Sequence, residues 1–381
     1  MNIVIISSPI YDFKSECLKI GGVETYVYDL SHILKLKGFE TYIYQLDDVD
    51  EQIVIDGVLI RARKKRKSKL SKSYQILFEE VYKKENIYIL ATDQLGIKSS
   101  STNVIAIQHG IAFDIPGDML PGFWHKNQIL QAINKLLRCY KNVWRFNNTC
   151  NTVCVDYNFY NWYKTLSTIP LKHKVKIIPN YSSSSITEDE LKSKLNSSSR
   201  RRIIFARRFV DYRGTLLFLS VAQKILNEYP DVHITFAGDG PLKHIISQTF
   251  NGDKRVEITS FVCSNSIQFH YNYDIAVVPT IFSEGTSLSL CEAMAAGCFP
   301  IATHVGGMTN MILDGYNGRL IYPSEQDLYE TLCNVLTLNK SDFNKIVMNA
   351  YSVAKNAFSR EIWGEKWCVY IKDIMNCMPM K

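Results

Sequence analysis

Short runs rich in β-branched residues alternate with amphipathic stretches of helical spacing along the whole chain, and this alternation constrains the fold most. Residues 3–6, 41–44, 87–90, 104–107 and 152–155 read as strands in the first half. Residues 202–205, 233–237, 256–258, 275–278 and 299–302 do so in the second. Strands separated by helices mean βαβ units and parallel sheets, one per half. A chain of 381 residues is long enough for two domains with separate cores. The expected class is α/β, with a first domain over residues 1–180 and a second over 200–358. Residues 181–199 are serine-rich and apolar-poor and read as a linker. Beyond Pro323 the pattern is helical, and Trp363, Trp367 and Tyr370 recur at packing distance. The segment 359–381 is therefore expected to pack back on the first domain. Two doubly wound halves bind ligands at the carboxyl ends of their strands.

Other classes are set aside on composition. Hydrophobic residues make up 46% and charged residues 21%, as in an ordinary globular chain. No apolar run approaches the roughly 18 residues that span a bilayer. The start lacks a basic n-region and its apolar run stops at Ile6, so it reads as a strand and not a signal peptide. Ten cysteines follow no framework, and Cys150 and Cys154 have no partners for a zinc site. Reduced thiols and a cytoplasmic location are expected.

The net charge of +7 has a local origin. Arg61, Arg63, Lys64, Lys65, Arg66, Lys67, Lys69 and Lys72 follow one another with no acid between them, and the rest of the chain is nearly neutral. No nucleic-acid-binding module accompanies them, so nucleic acid is not an expected partner. One basic segment on a neutral body fits an anionic membrane surface or an acidic ligand, and a solvated loop without a partner fits equally well. A second stretch, residues 120–146, places Ile129, Ile133, Leu136, Leu137, Tyr140, Val143 and Trp144 on one helical side, with Lys135, Arg138, Lys141 and Arg145 on the other. Packing of that side on the helix's own sheet is the favoured reading over a membrane contact. The preceding Pro121-Gly122-Phe123-Trp124 is left as a candidate lipid contact.

The chemistry concentrates in residues 279–297. A strand ends at Val278, a turn carries Glu284-Gly285, and Thr286 or Ser287 can cap a helix that stops at Gly297. The helix start offers backbone N–H groups and a positive dipole end to a phosphate. Glu284 and Glu292, eight apart, can both touch a nucleotide diphosphate lying there. Taken alone, that spacing fits a capped helix with surface acids better.

The neighbouring motifs change the balance. Glu284 and Glu292 are followed by Ala293-Met294-Ala295-Ala296-Gly297, then by Pro300-Ile301-Ala302-Thr303-His304-Val305-Gly306-Gly307 and Asp314-Gly315-Tyr316-Asn317-Gly318. Upstream stand Gly21-Gly22-Val23-Glu24, Ile177-Ile178-Pro179-Asn180, Arg207-Arg208-Phe209-Val210-Asp211-Tyr212-Arg213-Gly214 and Ala237-Gly238-Asp239-Gly240-Pro241. In this order they closely resemble the family 4 glycosyltransferases, retaining enzymes of the GT-B fold. The resemblance covers nearly the whole chain and is strongest in the second half. It implies two Rossmann-like domains with a nucleotide-sugar cleft between them.

The resemblance also implies roles for individual residues. Arg208 and Arg213 fall on the family's Arg and Lys that grip the donor diphosphate. Arg207 replaces the family's Gly and reads as a surface charge, while Arg213 in place of Lys keeps the charge but not the shape. Glu284 would contact the transferred sugar near its reacting carbon, and Glu292 would accept hydrogen bonds from the ribose hydroxyls. The backbones of Thr286, Ser287 and Leu288 would hold phosphate, and that of Phe261 would read the base. Gly21 and Gly22 form a loop approaching donor and acceptor. His109, after the strand 104–107, falls on the family's sugar-contacting catalytic His. Asp93 and Asp114, near strand ends, are candidates to orient the acceptor hydroxyl.

The sequence thus predicts a cytoplasmic, peripheral-membrane retaining glycosyltransferase using a UDP- or GDP-sugar. Its acceptor would be a hydroxyl of a lipid-linked glycan in bacterial surface-polysaccharide assembly. No metal or other cofactor is expected, because Arg208, Arg213 and the helix start supply the positive charge. Two alternatives stay open: a sugar-nucleotide epimerase of the same architecture, and a non-catalytic nucleotide-sugar-binding scaffold.

Overall fold

The computed structural model describes residues 1–19, 21–111, 120, 122–168, 170–197, 199–262 and 265–378. Asp114 and Pro121 lie outside the described residues. The chain divides into two compact units, one of Met1–His109, Ala132–Ile178 and Gly364–Lys381, the other of Gly110–Gln131 and Pro179–Trp363. Both are α/β with mainly parallel sheets, the class expected from the sequence.

The first unit contains strands β1 (Ile3–Ser7), β2 (Tyr11–Asp12), β3 (Cys17–Leu18), β4 (Thr41–Asp47), β5 (Gln52–Ile55), β6 (Val58–Lys64), β7 (Ile87–Leu90), β8 (Val104–Gln108), β9 (Asn151–Cys154) and β10 (Val175–Ile177). Helices α1 (Gly22–Leu36), α2 (Leu70–Val81), α3 (Gln128–Asn147) and α4 (Tyr157–Leu166) connect them. The eight-stranded sheet runs β10-β9-β8-β7-β1-β4-β6-β5, parallel except for the β5–β6 hairpin. Burial on both faces explains the continuous apolar runs of β1, β7 and β8. Chain order reverses between β1 and β7, so residues after β1, β7 and β8 share one end of the sheet.

The hairpin is absent from the sequence expectation. Its turn is Asp56-Gly57, both at positive φ, the pair favoured for a tight hairpin. Arg61, Arg63 and Lys64 thus stand on a strand and not in a loop. Arg61 donates to the Tyr44 hydroxyl at 3.0 Å, Arg63 lies 4.0 Å from Asp50, Lys65 lies 3.7 Å from Asp48, and Arg66 pairs with Glu80.

The second unit holds α5 (Glu188–Ser197), β11 (Arg202–Ala206), α6 (Thr215–Glu228), β12 (His233–Ala237), α7 (Lys243–Thr249), β13 (Val256–Thr259), α8 (Ser266–Tyr271), β14 (Ile275–Val278), α9 (Leu288–Ala295), β15 (Phe299–Thr303), β16 (Arg319–Ile321), α10 (Glu325–Thr337) and α11 (Lys340–Ala357). Its parallel sheet runs β13-β12-β11-β14-β15-β16 and reverses between β11 and β14. Residues 181–199 differ from the expected linker, because α5 buries Leu191 and Leu195 in this unit's core. Two leucines four apart suffice to seat a short helix that is otherwise polar.

The last helix, α12 (Arg360–Met375), buries Trp363, Trp367 and Tyr370. Trp363 stacks on Tyr181 in the second unit, with ring centroids 4.0 Å apart. Trp367 donates its indole N–H to the Tyr26 hydroxyl of α1 at 2.8 Å. The aromatic stripe is packing, as its spacing indicated.

Candidate functional site

The reversal between β11 and β14 brings residues 207 and 279–284 to the same sheet end. The Arg207 backbone N–H donates to the Ala237 carbonyl at 3.0 Å, which holds the loop after β11 against that after β12. The Arg207 guanidinium reaches Glu284, with Nη2 at 2.5 Å from Oε2, and Nη1 donates to the Ser287 hydroxyl at 3.3 Å. Arg213 donates to the same Glu284 oxygen, and the Thr280 hydroxyl joins at 3.1 Å. The Arg207 side chain is only 6% exposed, Glu284 10% and Arg213 27%. Arg207 is therefore not the surface charge expected of it. At the switch point its side chain turns inward, because a carboxylate lies there to compensate it. Arg208 is exposed and stands outside this cluster.

Burial would push the Glu284 carboxyl up, but Arg207 and Arg213 together outweigh it and hold it below the usual carboxylate range. Burial draws the Arg207 guanidinium down from its ordinary value despite Glu284. It stays charged, since arginine does not deprotonate in proteins. Two guanidinium charges against one carboxylate leave the cluster net positive, suited to an anion.

Beside it begins α9. Ser287 occupies the cap position, but its hydroxyl makes no cap bond. That hydroxyl meets Arg207 and, at 3.3 Å, Ser289. The first turn thus presents N–H groups and the positive end of the helix dipole without a capping side chain. Asn180 donates to the Thr286 carbonyl at 2.6 Å, and the Gly307 N–H donates to the Glu284 carbonyl at 2.9 Å. A Cβ on Gly307 would stand 2.6 Å from both the Gly285 carbonyl carbon and the Thr286 nitrogen. Gly306, at φ +56°, would drive one into the Glu284 carbonyl oxygen. The paired glycines let the loop after β15 support the Glu284 loop at backbone contact.

Glu292 lies inside α9, and burial pushes its carboxyl up to about 7, with the Ser266 hydroxyl partly offsetting this. Ser266 opens α8, whose Phe269 stacks on Phe261 with centroids 4.6 Å apart. Phe261 is half-buried in the stretch after β13.

In the first unit His109 follows β8, with Nε2 2.8 Å from the carbonyl of Ala91, the residue after β7. A carbonyl only accepts, so Nε2 carries the proton and Nδ1 of the neutral ring keeps a lone pair. Burial lowers the His109 pKa, outweighing that hydrogen bond and favouring the neutral ring. Tyr26 meets the imidazole edge-on, with centroids 5.4 Å apart. Asp93 opens the turn after β7; burial pushes its carboxyl up to about 6, opposed by the Arg145 charge. Gly21 is the extended residue before α1, and Gly22 is the first residue of that helix. Asp93 thus follows β7, at the reversal of its sheet, and His109 follows the neighbouring β8, while the glycines stand after the small β2–β3 hairpin, at the start of α1.

Residues 200–337 match the family described as glycosyl transferases group 1. The match covers 138 of the 381 residues. D-inositol 3-phosphate glycosyltransferase of Paenarthrobacter aurescens is 29% identical over 144 residues, covering 34% of this chain and 35% of the relative. The match thus spans about a third of that relative's length. Among solved structures, sucrose-phosphate synthase of Thermosynechococcus elongatus is 13% identical, covers 99% of this chain and 100% of its own, and has a TM-score of 0.74. HepE of Anabaena, in complex with UDP, is 13% identical with a TM-score of 0.69, covering 98% of this chain and 100% of its own. The fold is GT-B.

Arg207, Thr280, Ser266 and the Gly306-Gly307 support were not assigned to the site from sequence. The Arg207-Arg208 doublet is plain in the sequence, but spacing does not say which of two adjacent guanidiniums turns inward.

Proposed function

We propose that the protein is a retaining glycosyltransferase that moves a sugar from a UDP- or GDP-sugar to a hydroxyl of a lipid-linked glycan in surface-polysaccharide assembly. The observation that carries the reading is the net-positive cluster of Arg207, Arg213 and Glu284 beside the open start of α9. When the bond between the sugar's anomeric carbon and the diphosphate oxygen breaks, negative charge grows on the departing diphosphate. Arg213 and the first N–H groups of α9, with exposed Arg208 joining from solvent, stabilise that charge. Glu284 lies against the sugar, Glu292 accepts from the ribose, and the Phe261 backbone faces the base. His109 contacts the donor sugar, Gly21 and Gly22 line the approach, and residues 1–180 form the acceptor-side domain. The complex of HepE with UDP supports a nucleotide in this fold.

Thermal shift with UDP and GDP selects the nucleotide, and donor panels with glycolipid acceptors then test transfer. Nucleoside diphosphate release should require the acceptor; conversion of the donor alone would favour epimerisation. Rates in excess EDTA should equal those with added Mg²⁺ or Mn²⁺, because protein cations face the diphosphate. Loss on chelation with recovery on adding the ion would defeat the charge-compensation argument.

Glu292 gives the reading a pH signature. Hydroxyl donors favour the ionised carboxylate, so nucleotide binding expels its proton. With a free-protein pKa of about 7, affinity should fall about tenfold from about pH 8 to about pH 6, since only the ionised fraction is competent. Calorimetry should show proton release, and Glu292→Gln should remove the dependence beyond the ligand's own titration. An unchanged slope in that variant would separate Glu292 from the ribose.

A further inference from the structure

We propose that the exposed face of α3 is a docking surface for an anionic lipid bilayer. The helix is inside out. Ile129, Leu136, Leu137, Tyr140 and Trp144 are 73%, 69%, 56%, 73% and 53% exposed, and Ile133 is 43% exposed. At helical spacing these six fall within an arc of roughly 100°. The opposite side meets the protein: Asn134 is buried and accepts from Arg138 at 2.6 Å, while Arg145 acts on the carboxylate of Asp93. This reverses the packing expected from the sequence, where the apolar side should have faced the sheet. Periodicity reports that a helix has two faces, not which one turns inward.

Charge and residue type identify the occupant. Between Asp118 and Asp156 there is no carboxylate, while Lys126, Lys135, Arg138, Lys141 and Arg145 lie in that interval. Of these, Lys126, Lys135 and Lys141 are exposed. A symmetric dimer through this face would set cations of one copy against the same cations of the other. A bilayer interface supplies hydrocarbon for Leu136 and Leu137, a headgroup layer for Tyr140 and Trp144, and phosphates for Lys126 and Lys141. Among the described residues no helix is long and apolar enough to cross a membrane, so α3 lies in the plane of the interface. The basic residues after Arg61 suit this less well, since Asp48, Asp50 and Glu80 stand against Lys65, Arg63 and Arg66. The proposal stands on the helix alone and does not depend on the proposed reaction.

Co-sedimentation with vesicles of phosphatidylcholine containing one-third phosphatidylglycerol tests it. The triple variant Leu136→Ser, Tyr140→Ser, Trp144→Ser should lower the partition coefficient at least about 100-fold. Its melting temperature and nucleotide binding should be unchanged, because the replaced side chains are exposed. Replacing Arg63, Lys65 and Arg66 by Ser should change partitioning less than about threefold, since those charges face Asp50, Asp48 and Glu80. Brominated lipids should quench wild-type tryptophan emission, and Trp144→Phe should lose that quenching while still pelleting. Equal pelleting of wild type and triple variant would overturn the proposal. So would a wild-type dimer that the triple variant splits in light scattering without vesicle binding by either, which would make the face a contact between copies.

Discussion

Glu284→Gln is expected to lower the turnover rate about 10²–10³-fold, the range for losing one preorganised electrostatic contact in a transition state. The sequence alone suggests that such a change leaves folding untouched, because a cleft carboxylate is solvated. The structure corrects this. Glu284 is 10% exposed and is the shared partner of Arg207 and Arg213. Neutralising it leaves two cations facing one another, one of them buried, which costs about 3 kcal/mol. The effects on rate and stability separate in a double variant. Adding Arg207→Met removes the stranded buried charge, so the melting temperature should recover while the rate does not. Arg213→Ala should lower the rate with a smaller loss of stability, since its guanidinium reaches solvent. Arg208→Ala, at an exposed side chain, should lower the rate about 10²–10³-fold with no change in melting temperature if it grips the diphosphate. A single-turnover assay on folded protein, with melting curves for each variant, checks the series. Wild-type turnover in Glu284→Gln would remove Glu284 from the reaction.

The ten strands read from the sequence all exist, because they lie in the parallel parts of the two large sheets, where burial on both faces leaves apolar runs largely unbroken. What escaped was local and polar. The β5–β6 hairpin carries Arg61, Arg63 and Lys64 on its second strand, and those charges obscured the alternation that Asp56-Gly57 should have flagged. Helix α5 escaped because only Leu191 and Leu195 anchor it amid serines and charges. The site was legible where a motif depends on chain conformation: the turn at Glu284-Gly285 and the helix after it stand where the residues indicated. Arg207 was not, because whether a guanidinium turns inward is decided by a carboxylate 77 positions away. The orientation of α3 likewise depends on which of its faces finds partners across the fold, and Asn134 and Arg145 lie on the side that does.

The support beneath the Glu284 loop leads to the second large effect. Gly307→Ala is expected to cost about 10²-fold in turnover, although residue 307 carries no functional group. Its backbone is not in the left-handed region, so alanine meets no torsional penalty there. The penalty is contact. The new methyl would sit 2.6 Å from the Gly285 carbonyl carbon and the Thr286 nitrogen, and 2.8 Å from the Gly285 oxygen. These are backbone atoms, so no side chain can swing aside, and the loop must retreat by about half an ångström or more. That loop carries Glu284 and leads into the first turn of α9, so carboxylate and phosphate donors move together. Displacements approaching 1 Å cost about 10²-fold where reacting groups are held by position. Overpacking should also cost about 1–3 kcal/mol of stability. Gly315→Ala is the control. At φ +74° it is strained as well, but its Cβ projects into open space, so it should lower the melting temperature slightly and leave turnover unchanged. Turnover and KM of the two variants, at temperatures where both remain folded, decide the matter. If Gly307→Ala turned over at the wild-type rate, the Glu284 loop would owe its position to the ion pairs with Arg207 and Arg213 and not to the glycines beneath it.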